Sequence, residues 1–493
     1  MGQKSARGKA SAPHMRRVPR RIHFLGIHGR LVGSLAMALK RLGAEVSGTD
    51  SVAFPPMPAL LKSAGIQVAS TPHERNLPER VDVVVTGSLV RRGDRELEAA
   101  MDRGIPVWNT AAFLQQYFLR ETENFVVTGT KGKTSTTAML LWILQSVGKT
   151  PDFLLGGQIR GGRERLTLSG KPMMVLEGDE YPCGVGDPLP KFLRYHPRHV
   201  GVTSLQHDHL EVYPSPESYR EAFVHLVHQV PRTGSLTLNA DDEGAMSLVG
   251  LTPTPVTTVG FSRSAATVRI TKYRETSSGT KFHVANVAFE LLLPGRMHAR
   301  NAAIAAVMAR HAGVSLKQSS LALKEFPGVE GRLDPVGHEE GLPIYTDEAY
   351  HPLALRATLE AVRGRHPKQR LVLLFEPRYT SGEDGPWKQT LPESIAGNAD
   401  VVIAAPPVEL RWLPRPFSIS GFCRRLRALG TEAHRVKGVS AMESAVRRLC
   451  RPGDVVVISF SMIRGEETAA VVEALKEALR ETSAHQKKRK PRG

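Results

Sequence analysis

The chain has 493 residues, of which 41% are hydrophobic and 23% are charged, so it is long enough for two to four globular domains. No apolar run approaches the roughly 18 residues of a membrane span, and none near the N-terminus is long enough for a signal peptide. We therefore expect a cytoplasmic protein. The three cysteines, Cys183, Cys423 and Cys450, lack the paired spacing of a metal site or a disulfide framework, which favours buried thiols.

The net charge of +18 is concentrated at the two ends of the chain. Residues 1–21 contain seven Lys or Arg and residues 485–493 contain five, with no acidic residue in either segment, so +6 remains for the rest. Both ends lack the apolar residues needed to fold, which predicts basic disordered tails at 1–20 and 483–493. Solvated tails are favoured here over a nucleic-acid-binding or membrane-surface role, and the remaining charge suits anionic, phosphorylated substrates.

Strands and helices alternate through the first block, residues 21–118. Such alternation predicts an α/β domain with a parallel sheet that is covered by helices. The predicted strands are 21–26, 45–49, 81–86 and 106–108, and the predicted helices are 31–42 and 94–103.

Two further α/β blocks follow, at residues 119–328 and 329–482. Their strands are short, continuous apolar runs of the buried kind. In the second block the predicted strands are 124–128, 173–176 and 200–203, with helices at 134–145 and 301–311. In the third block the predicted strands are 343–345, 370–375, 401–404 and 454–459, with a helix at 353–363.

The strongest motif is the segment 128–136, Thr-Gly-Thr-Lys-Gly-Lys-Thr-Ser-Thr, which joins a strand to a helix. Backbone N–H groups in such a loop and the positive end of the helix can hold phosphate oxygens. Lys133 supplies a charge for the β- and γ-phosphates, and the Thr134 hydroxyl can coordinate Mg²⁺. The spacing departs from the common Gly-x-x-x-x-Gly-Lys pattern, because Val127 stands at the first glycine position.

This loop resembles the ATP loop of the Mur ligase family, and the resemblance extends over about residues 20–480. It implies three domains: a Rossmann-like UDP-binding domain, a central P-loop ATPase domain, and a Rossmann-like C-terminal domain that closes on an amine substrate. The implied cofactors are ATP and Mg²⁺. The implied ATP-binding residues are Gly129, Thr130, Lys131, Gly132, Lys133, Thr134, Ser135, Asn301 and Arg332.

A second glycine-rich segment, 26–33, lies between the first strand and the first helix. Glycines at this point allow the backbone to approach a diphosphate, and Asp50 at the end of the next strand can accept a hydrogen bond from a ribose hydroxyl. Arg30 can either pair with a phosphate or obstruct it. The predicted UDP-sugar site contains Gly26, His28, Gly29, Arg30, Asp50 and Ser88.

Acidic residues and a histidine follow two strands of the second block. Segment 177–180 resembles the Glu-Ala-Asp-Glu of the family, in which Glu177 matches a Mg²⁺ ligand, and His209 matches the histidine that contacts a second metal ion. The resemblance thus implies a metal site of Thr134, Glu177 and His209, and catalytic roles for Lys133, Glu177 and His209. Phe223 stands where some members carry a carbamylated lysine, which favours the branch that uses UDP-N-acetylmuramate directly.

The chain departs from the family pattern near its adenine and amine sites. Met297 and His298 replace His-Asn, although Asn301 is kept and His298 can still donate a hydrogen bond. In the third block Arg332 resembles the arginine that follows the hinge. The residues predicted to bind the amine substrate are Asp347, His351 and Arg378, and a planar guanidinium suits a peptide carboxylate.

The resemblance implies an ATP-dependent ligase acting on small molecules. It would join the carboxylate of UDP-N-acetylmuramate to the amine of L-alanyl-γ-D-glutamyl-meso-diaminopimelate through an acyl phosphate. The alternatives are L-alanine as the amine, or a diverged nucleotide- or UDP-sugar-binding protein without activity. We expect a monomer or a weak dimer without a membrane span.

Overall fold

The computed structural model describes residues 18–53, 55–162, 164–210, 212–276, 278–336, 342–377, 387–406, 418–460 and 465–487. Within these residues the larger sheets have five, ten and six strands, and they follow one another along the chain. Most of their strands run parallel and are covered by helices, which confirms the predicted three-domain α/β fold.

The N-terminal sheet is entirely parallel, with the strand order 3-2-1-4-5. Phe24 and Val85 in its two central strands are fully buried against helices, as expected for a sheet covered on both faces. The elements are β1 (Arg21–Leu25), α1 (Arg30–Arg41), β2 (Glu45–Thr49), α2 (Met57–Ser63), β3 (Gln67–Ala69), β4 (Val83–Thr86), α3 (Arg95–Asp102), β5 (Val107–Asn109) and α4 (Thr110–Leu114).

The central sheet has a parallel middle and antiparallel ends. Its elements are β6 (Glu123–Thr128), α5 (Lys133–Ser146), β7 (Asp152–Leu154), β8 (Leu166–Thr167), β9 (Met173–Gly178), β10 (Pro182–Gly184), β11 (Asp187–Pro190), β12 (His199–Val202), α6 (Pro216–His228), β13 (Ser235–Asn239), α7 (Glu243–Met246), β14 (Val256–Gly260), β15 (Val268–Thr276), β16 (Gly279–Val284), β17 (Val287–Leu291), α8 (Arg296–Ala309) and α9 (Leu316–Lys324). The order is 17-16-15-14-13-12-6-9-7-8, and β10 and β11 form a separate hairpin. The carboxyl ends of β6, β9 and β12 therefore lie side by side.

The C-terminal sheet has the order 18-19-23-20-21-22 and is parallel except for its first strand. Its elements are β18 (Asp334–Pro335), β19 (Ile344–Asp347), α10 (Pro352–Arg365), β20 (Leu371–Phe375), α11 (Trp387–Ile395), β21 (Val401–Ala404), α12 (Ile419–Ala428), β22 (Glu432–Arg435), α13 (Met442–Leu449), β23 (Val455–Ser459) and α14 (Gly465–Lys487).

The predicted elements lie at or near their observed positions, with one large difference. The helix predicted at 301–311 begins at Arg296, because Gly295 has φ +96° and starts the helix five residues earlier. The antiparallel strands β15–β17 and the β10–β11 hairpin were not predicted. All three cysteines are buried and unpaired. Among the described residues, no helix combines the length and apolarity needed to cross a membrane.

Candidate active site

A cavity of about 620 Å³ lies where the three sheets meet. The loop after β1 forms one side, the loop after β6 and the carboxyl end of β9 form the middle, and the start of the C-terminal unit forms another side. Of the predicted site residues, the structure places the following in its wall: Gly29, Arg30, Ser88, Thr130, Lys131, Gly132, Lys133, Thr134, Ser135, Glu177, His209, Arg332 and Asp347. The predicted residues thus converge from all three units.

The loop 129–132 has a backbone that only glycine tolerates at two positions. Gly129 has φ +128° and Gly132 has φ +88°. A Cβ on Gly132 would lie 2.8 Å from Asn301 Oδ1, and one on Gly129 would lie 2.5 Å from Thr203 Oγ1. The loop is also bonded to the segment after β12, because Thr130 Oγ1 donates to the Gln206 carbonyl over 2.7 Å. The loop is therefore rigid before any ligand binds.

The N-terminus of α5 is suited to an anion. No side chain caps its first turn, so its backbone N–H groups remain available for phosphate oxygens. The Asn301 Nδ2 group is buried and has no hydrogen-bond partner within the described part of the chain. Asn301 does not line the cavity in this structure, so its contact with a nucleotide remains a prediction. These features fit ATP.

Lys133 reaches from α5 to a buried carboxylate. Its Nζ donates to Glu180 Oε1 over 2.8 Å and to the Gly129 carbonyl over 2.7 Å. His209 Nε2 lies 3.0 Å from the same Glu180 oxygen. Burial alone would lower the pKa of Lys133, but the attraction and hydrogen bond of Glu180 outweigh it and raise the pKa, so the side chain stays charged. Glu180 thus links two of the predicted catalytic residues.

Thr134 and Glu177 provide oxygen ligands at the base of the cavity. Thr134 Oγ1 donates to Glu177 Oε1 over 2.7 Å, and the Gly156 amide donates to Glu177 Oε2. Burial raises the pKa of Glu177, and the two hydrogen bonds only partly oppose this effect. The negative charge of the carboxylate is therefore not fully compensated by its neighbours.

These oxygens fit Mg²⁺, which typically takes one or two carboxylates and completes its shell with water and phosphate oxygens. A further buried oxygen, Glu180 Oε2, has no hydrogen-bond partner in the described residues. Among the described residues, no group of three or more His, Cys, Asp or Glu side chains is arranged to hold a metal ion by itself.

At the replaced adenine motif, the two ring nitrogens of His298 have different hydrogen-bonding roles. His298 is buried, and its Nδ1–H donates to the Pro294 carbonyl over 2.6 Å. Burial lowers the pKa of His298, which keeps the ring neutral and leaves Nε2 as an acceptor. His298 thus donates a hydrogen bond, to the protein backbone, and a role in holding adenine remains a prediction. Met297 and His298 both line the cavity, where Nε2 can accept from an exocyclic amine.

The loop after β1 divides into a buried base and an exposed tip. Asp50 Oδ2 accepts from the His28 amide over 2.8 Å, and His28 Nδ1 donates to the Val52 carbonyl. Gly26, His28 and Asp50 thus shape the loop and do not line the cavity, whereas Gly29, Arg30 and Ser88 do. Ribose binding by Asp50 remains a prediction.

A carboxylate of the C-terminal unit joins two arginines from different units. Glu348 forms a short ion pair with Arg332, and its Oε1 lies 3.8 Å from Arg30 Nη2. Burial alone would lower the pKa of Arg332, but Glu348 raises it. The loop after β1 is therefore linked electrostatically to the hinge arginine, a connection that no local sequence pattern indicated.

The predicted amine-binding residues have structural contacts in this conformation. Asp347 accepts hydrogen bonds from the Leu333 amide and the Thr358 hydroxyl, both over 3.0 Å. His351 caps α10 through the Leu353 amide and does not line the cavity. Arg378 lies outside the described residues. Amine binding by these three residues remains a prediction.

The loop after β6 also contacts the C-terminal unit. Lys131 Nζ lies 2.7 Å from Asp208 Oδ2 and 4.8 Å from the centre of the Tyr350 ring. Tyr350 donates to the same Asp208 oxygen over 3.3 Å. Burial lowers the pKa of Lys131 to about 8, although Asp208 opposes the shift. The pairing of Lys131 with Asp208 and Tyr350 was not predicted.

Phe223 has an apolar environment. It is fully buried in α6, and its ring centre lies 5.3 Å from that of Phe192 and 5.2 Å from that of Tyr219. A charged lysine carbamate at this position would be desolvated among aromatic rings, which the neutral residue avoids.

Comparison with known families and proteins agrees with this geometry. The descriptions "Mur ligase family, catalytic domain", "Mur ligase middle domain" and "Mur ligase, glutamate ligase domain" match residues 21–122, 127–309 and 331–461. The chain is 31% identical over 444 residues to the UDP-N-acetylmuramate–L-alanyl-γ-D-glutamyl-meso-2,6-diaminoheptandioate ligase of Escherichia coli, covering 89% of this chain and 94% of that protein. It is 34% identical over 372 residues to the UDP-N-acetylmuramate–L-alanine ligase of Halorhodospira halophila, covering 73% and 74%.

Solved structures show the same fold. A murein peptide ligase from Psychrobacter arcticus superposes with a TM-score of 0.69 at 25% identity, covering 93% of this chain and 98% of that one. An alanine ligase of UDP-N-acetylmuramate from Thermotoga maritima gives 0.75 at 24% identity, covering 93% and 99%. With a relative at 31% identity over most of both chains, the protein belongs to the Mur ligase family of ATP-dependent carboxylate–amine ligases.

Proposed function

We propose that the protein joins UDP-N-acetylmuramate to L-alanyl-γ-D-glutamyl-meso-diaminopimelate, with conversion of ATP to ADP and phosphate. The observation that carries the proposal is the cluster of Lys133, Thr134, Glu177, Glu180 and His209 in one cavity shared by all three units. The amine is inferred from the activity for which the Escherichia coli relative is named.

In the first step, the lactyl carboxylate attacks the γ-phosphorus of ATP, a P–O bond forms, and the bond to ADP breaks. Two anions must meet, so positive charge is required where they approach. Lys133 and the uncapped amides of α5 provide it on the phosphate side. A bound Mg²⁺ would neutralise phosphate charge, and Thr134 and Glu177 are the residues that would hold it.

In the second step, the amine attacks the acyl carbon, loses a proton, and phosphate leaves from a tetrahedral intermediate. Water must be excluded, because it would hydrolyse the acyl phosphate. Tyr350 and Glu348 of the C-terminal unit already close over the loop after β6 and over Arg30. Closure of this unit also places Arg332 at the cavity, where it can contact the nucleotide.

The test is phosphate release from ATP and Mg²⁺ in the presence of UDP-N-acetylmuramate, with the tripeptide or with L-alanine. Release that depends on the tripeptide, together with the ligated product by mass spectrometry, is the expected result. Release with L-alanine alone would assign the protein to the activity for which the Halorhodospira halophila relative is named. Failure with both amines, in protein that binds the UDP-sugar, would contradict the proposed substrate pair.

A further inference from the structure

The segment 191–195 of the central unit follows the β10–β11 hairpin and contributes Lys191 and Tyr195 to the lining of the cavity. We call this segment the wall. The hairpin packs against the N-terminal unit, because Asn109 Nδ2 donates to Asp187 Oδ2 over 3.2 Å, and a Cβ on Gly184 would lie 3.3 Å from the Gly87 carbonyl. The wall lines the same cavity as Ser88 of the N-terminal unit and Lys133.

The wall presents a lysine that is held in place. Lys191 is only 8% exposed and lines the cavity, and its Nζ donates to Asp179 Oδ2 over 2.7 Å. Its ammonium also lies 5.9 Å from the centre of the Tyr181 ring. Lysine side chains are rarely this buried unless the ammonium group is paired. The two remaining N–H groups of Lys191 can donate to an anion in the cavity.

The wall also contains a tyrosine whose hydroxyl lacks a partner. Tyr195 is fully buried, it lines the cavity, and no described residue forms a hydrogen bond with its hydroxyl. Burial, with Asp179 nearby, raises the pKa of Tyr195, so the hydroxyl keeps its proton and can donate it in a hydrogen bond. An unsatisfied buried hydroxyl costs about 1–3 kcal/mol, which a ligand oxygen would offset.

We propose that Lys191 and Tyr195 position the lactyl-bearing sugar of the UDP-linked substrate. Lys191 pairs with the lactyl carboxylate, and the Tyr195 hydroxyl donates to a carboxylate or sugar oxygen. The inference rests on the proposed function, because it assumes a UDP-sugar that carries a carboxylate. The negative charge of the cavity supports this role of Lys191. Glu177, Asp179 and Glu180 also line the cavity and would repel the lactyl carboxylate without an adjacent cation.

The experiment compares binding of UDP-N-acetylmuramate and UDP-N-acetylglucosamine by calorimetry, because the second sugar lacks the lactyl group. Wild type should bind the first sugar more tightly. Lys191→Met should weaken that binding about 10- to 100-fold, the usual value of a hydrogen bond to a charged group, with little effect on the second sugar. Lys191→Arg should restore part of the preference.

Tyr195→Phe tests the second residue without removing any hydrogen bond formed among the described residues. It should weaken binding of UDP-N-acetylmuramate about 3- to 10-fold and leave the thermal midpoint unchanged or higher. Tyr345→Phe and Lys281→Met are matched controls away from the cavity, where Tyr345 Oη bonds to His366 and Lys281 pairs with Glu290. Both controls should keep wild-type affinity for both sugars.

The outcomes separate the inference from the function on which it rests. If wild type prefers UDP-N-acetylmuramate and both Lys191→Met and Tyr195→Phe keep that preference, the inference is overturned and the proposed function stands. If wild type binds the two sugars equally, the lactyl carboxylate is not recognised and the inference is overturned, whereas the proposed function is decided separately by amine-dependent phosphate release.

Discussion

The molecule contains two glycine-rich loops that each join the first strand of a parallel sheet to a helix, and they differ in how they are held. The loop 129–132 has two glycines with positive φ, and Thr130 and Lys131 bond to the neighbouring segment of the same unit. The loop 26–29 has one such glycine, and Asp50 holds it through the His28 amide. Both precede a helix whose first turn has no side-chain cap.

The two loops differ in which unit supplies the carboxylate next to their basic side chain. Lys133 pairs with Glu180 of the same unit, whereas Arg30, at the tip of the first loop, lies next to Glu348 of the C-terminal unit. The central loop thus finds its ion-pair partners within its own unit, although Lys131 also lies against the Tyr350 ring of the C-terminal unit. The first loop depends on the relative position of two units, so we expect it to respond to closure.

Lys133→Ala gives the largest expected effect. Loss of the ammonium leaves the γ-phosphate charge and Glu180 without compensation, so ATP turnover should fall at least about 1000-fold. Phosphate release under saturating substrates measures it, and Lys149→Ala beyond the other end of α5 serves as the control. Turnover within 10-fold of wild type would show that the central loop is not the phosphate site.

Replacing one glycine of each loop by alanine tests the backbone difference directly. Gly132→Ala forces φ +88° on an L-residue and meets Asn301 Oδ1, so it should cost about 1–3 kcal/mol of stability and raise the KM for ATP about 10-fold. Gly29→Ala has φ −59° and nearest contacts of 3.3 Å, so it should cost less than about 1 kcal/mol. Thermal unfolding and ATP kinetics are measured on both variants. Equal losses of stability would contradict the predicted difference between the two loops.

Glu348→Gln tests the connection between units. The change removes the charge that attracts Arg30 and Arg332, so the unliganded protein should become more open and the KM for ATP should change about 2- to 5-fold. Small-angle scattering measures the opening as a larger radius of gyration. The exposed Glu360→Gln, on α10 of the same unit, is the control. An unchanged radius would indicate that other contacts hold the units together.

The comparison also separates what the sequence could predict from what it could not. The loop after β6, Glu177 and the buried strands were predictable, because each depends on residues a few positions apart whose spacing reflects one strand, turn or helix. Glu180 was within a recognised segment, but its contact with both Lys133 and His209 requires β9 and β12 to flank β6. The Arg30–Glu348 contact joins distant units, and no local pattern encodes it.

The antiparallel end of the central sheet was missed for a different reason. In β15 most side chains are only partly buried, so the strand lacks the continuous apolar run of a central strand. Lys191 and Tyr195 follow a short hairpin in which Pro182, Gly184, Gly186 and Pro190 give no strand signal. Their place in the cavity depends on how that hairpin packs against the N-terminal unit.

His351→Asn is expected to change the free energy of unfolding least at neutral pH. It tests whether acid destabilises the fold through protonation of a residue outside the two loops. Burial, with Lys131 and His209 nearby, lowers the pKa of His351 to about 3 against the opposing effect of Asp208. Below pH 6.5 the unfolded chain binds a proton that the folded protein excludes, so wild type should lose about 1.4 kcal/mol per pH unit from this group between about pH 6 and pH 4. Asparagine keeps the helix cap but does not titrate.

Denaturant unfolding at pH 8 and pH 5 measures this difference. The variant should match wild type within about 1 kcal/mol at pH 8 and lose about 2 kcal/mol less on acidification to pH 5. An equal loss of unfolding free energy between pH 8 and pH 5 in the two proteins would contradict a neutral, buried His351. With this contribution removed, a loss of ATP turnover at pH 5 that persists in the variant does not arise from protonation of His351.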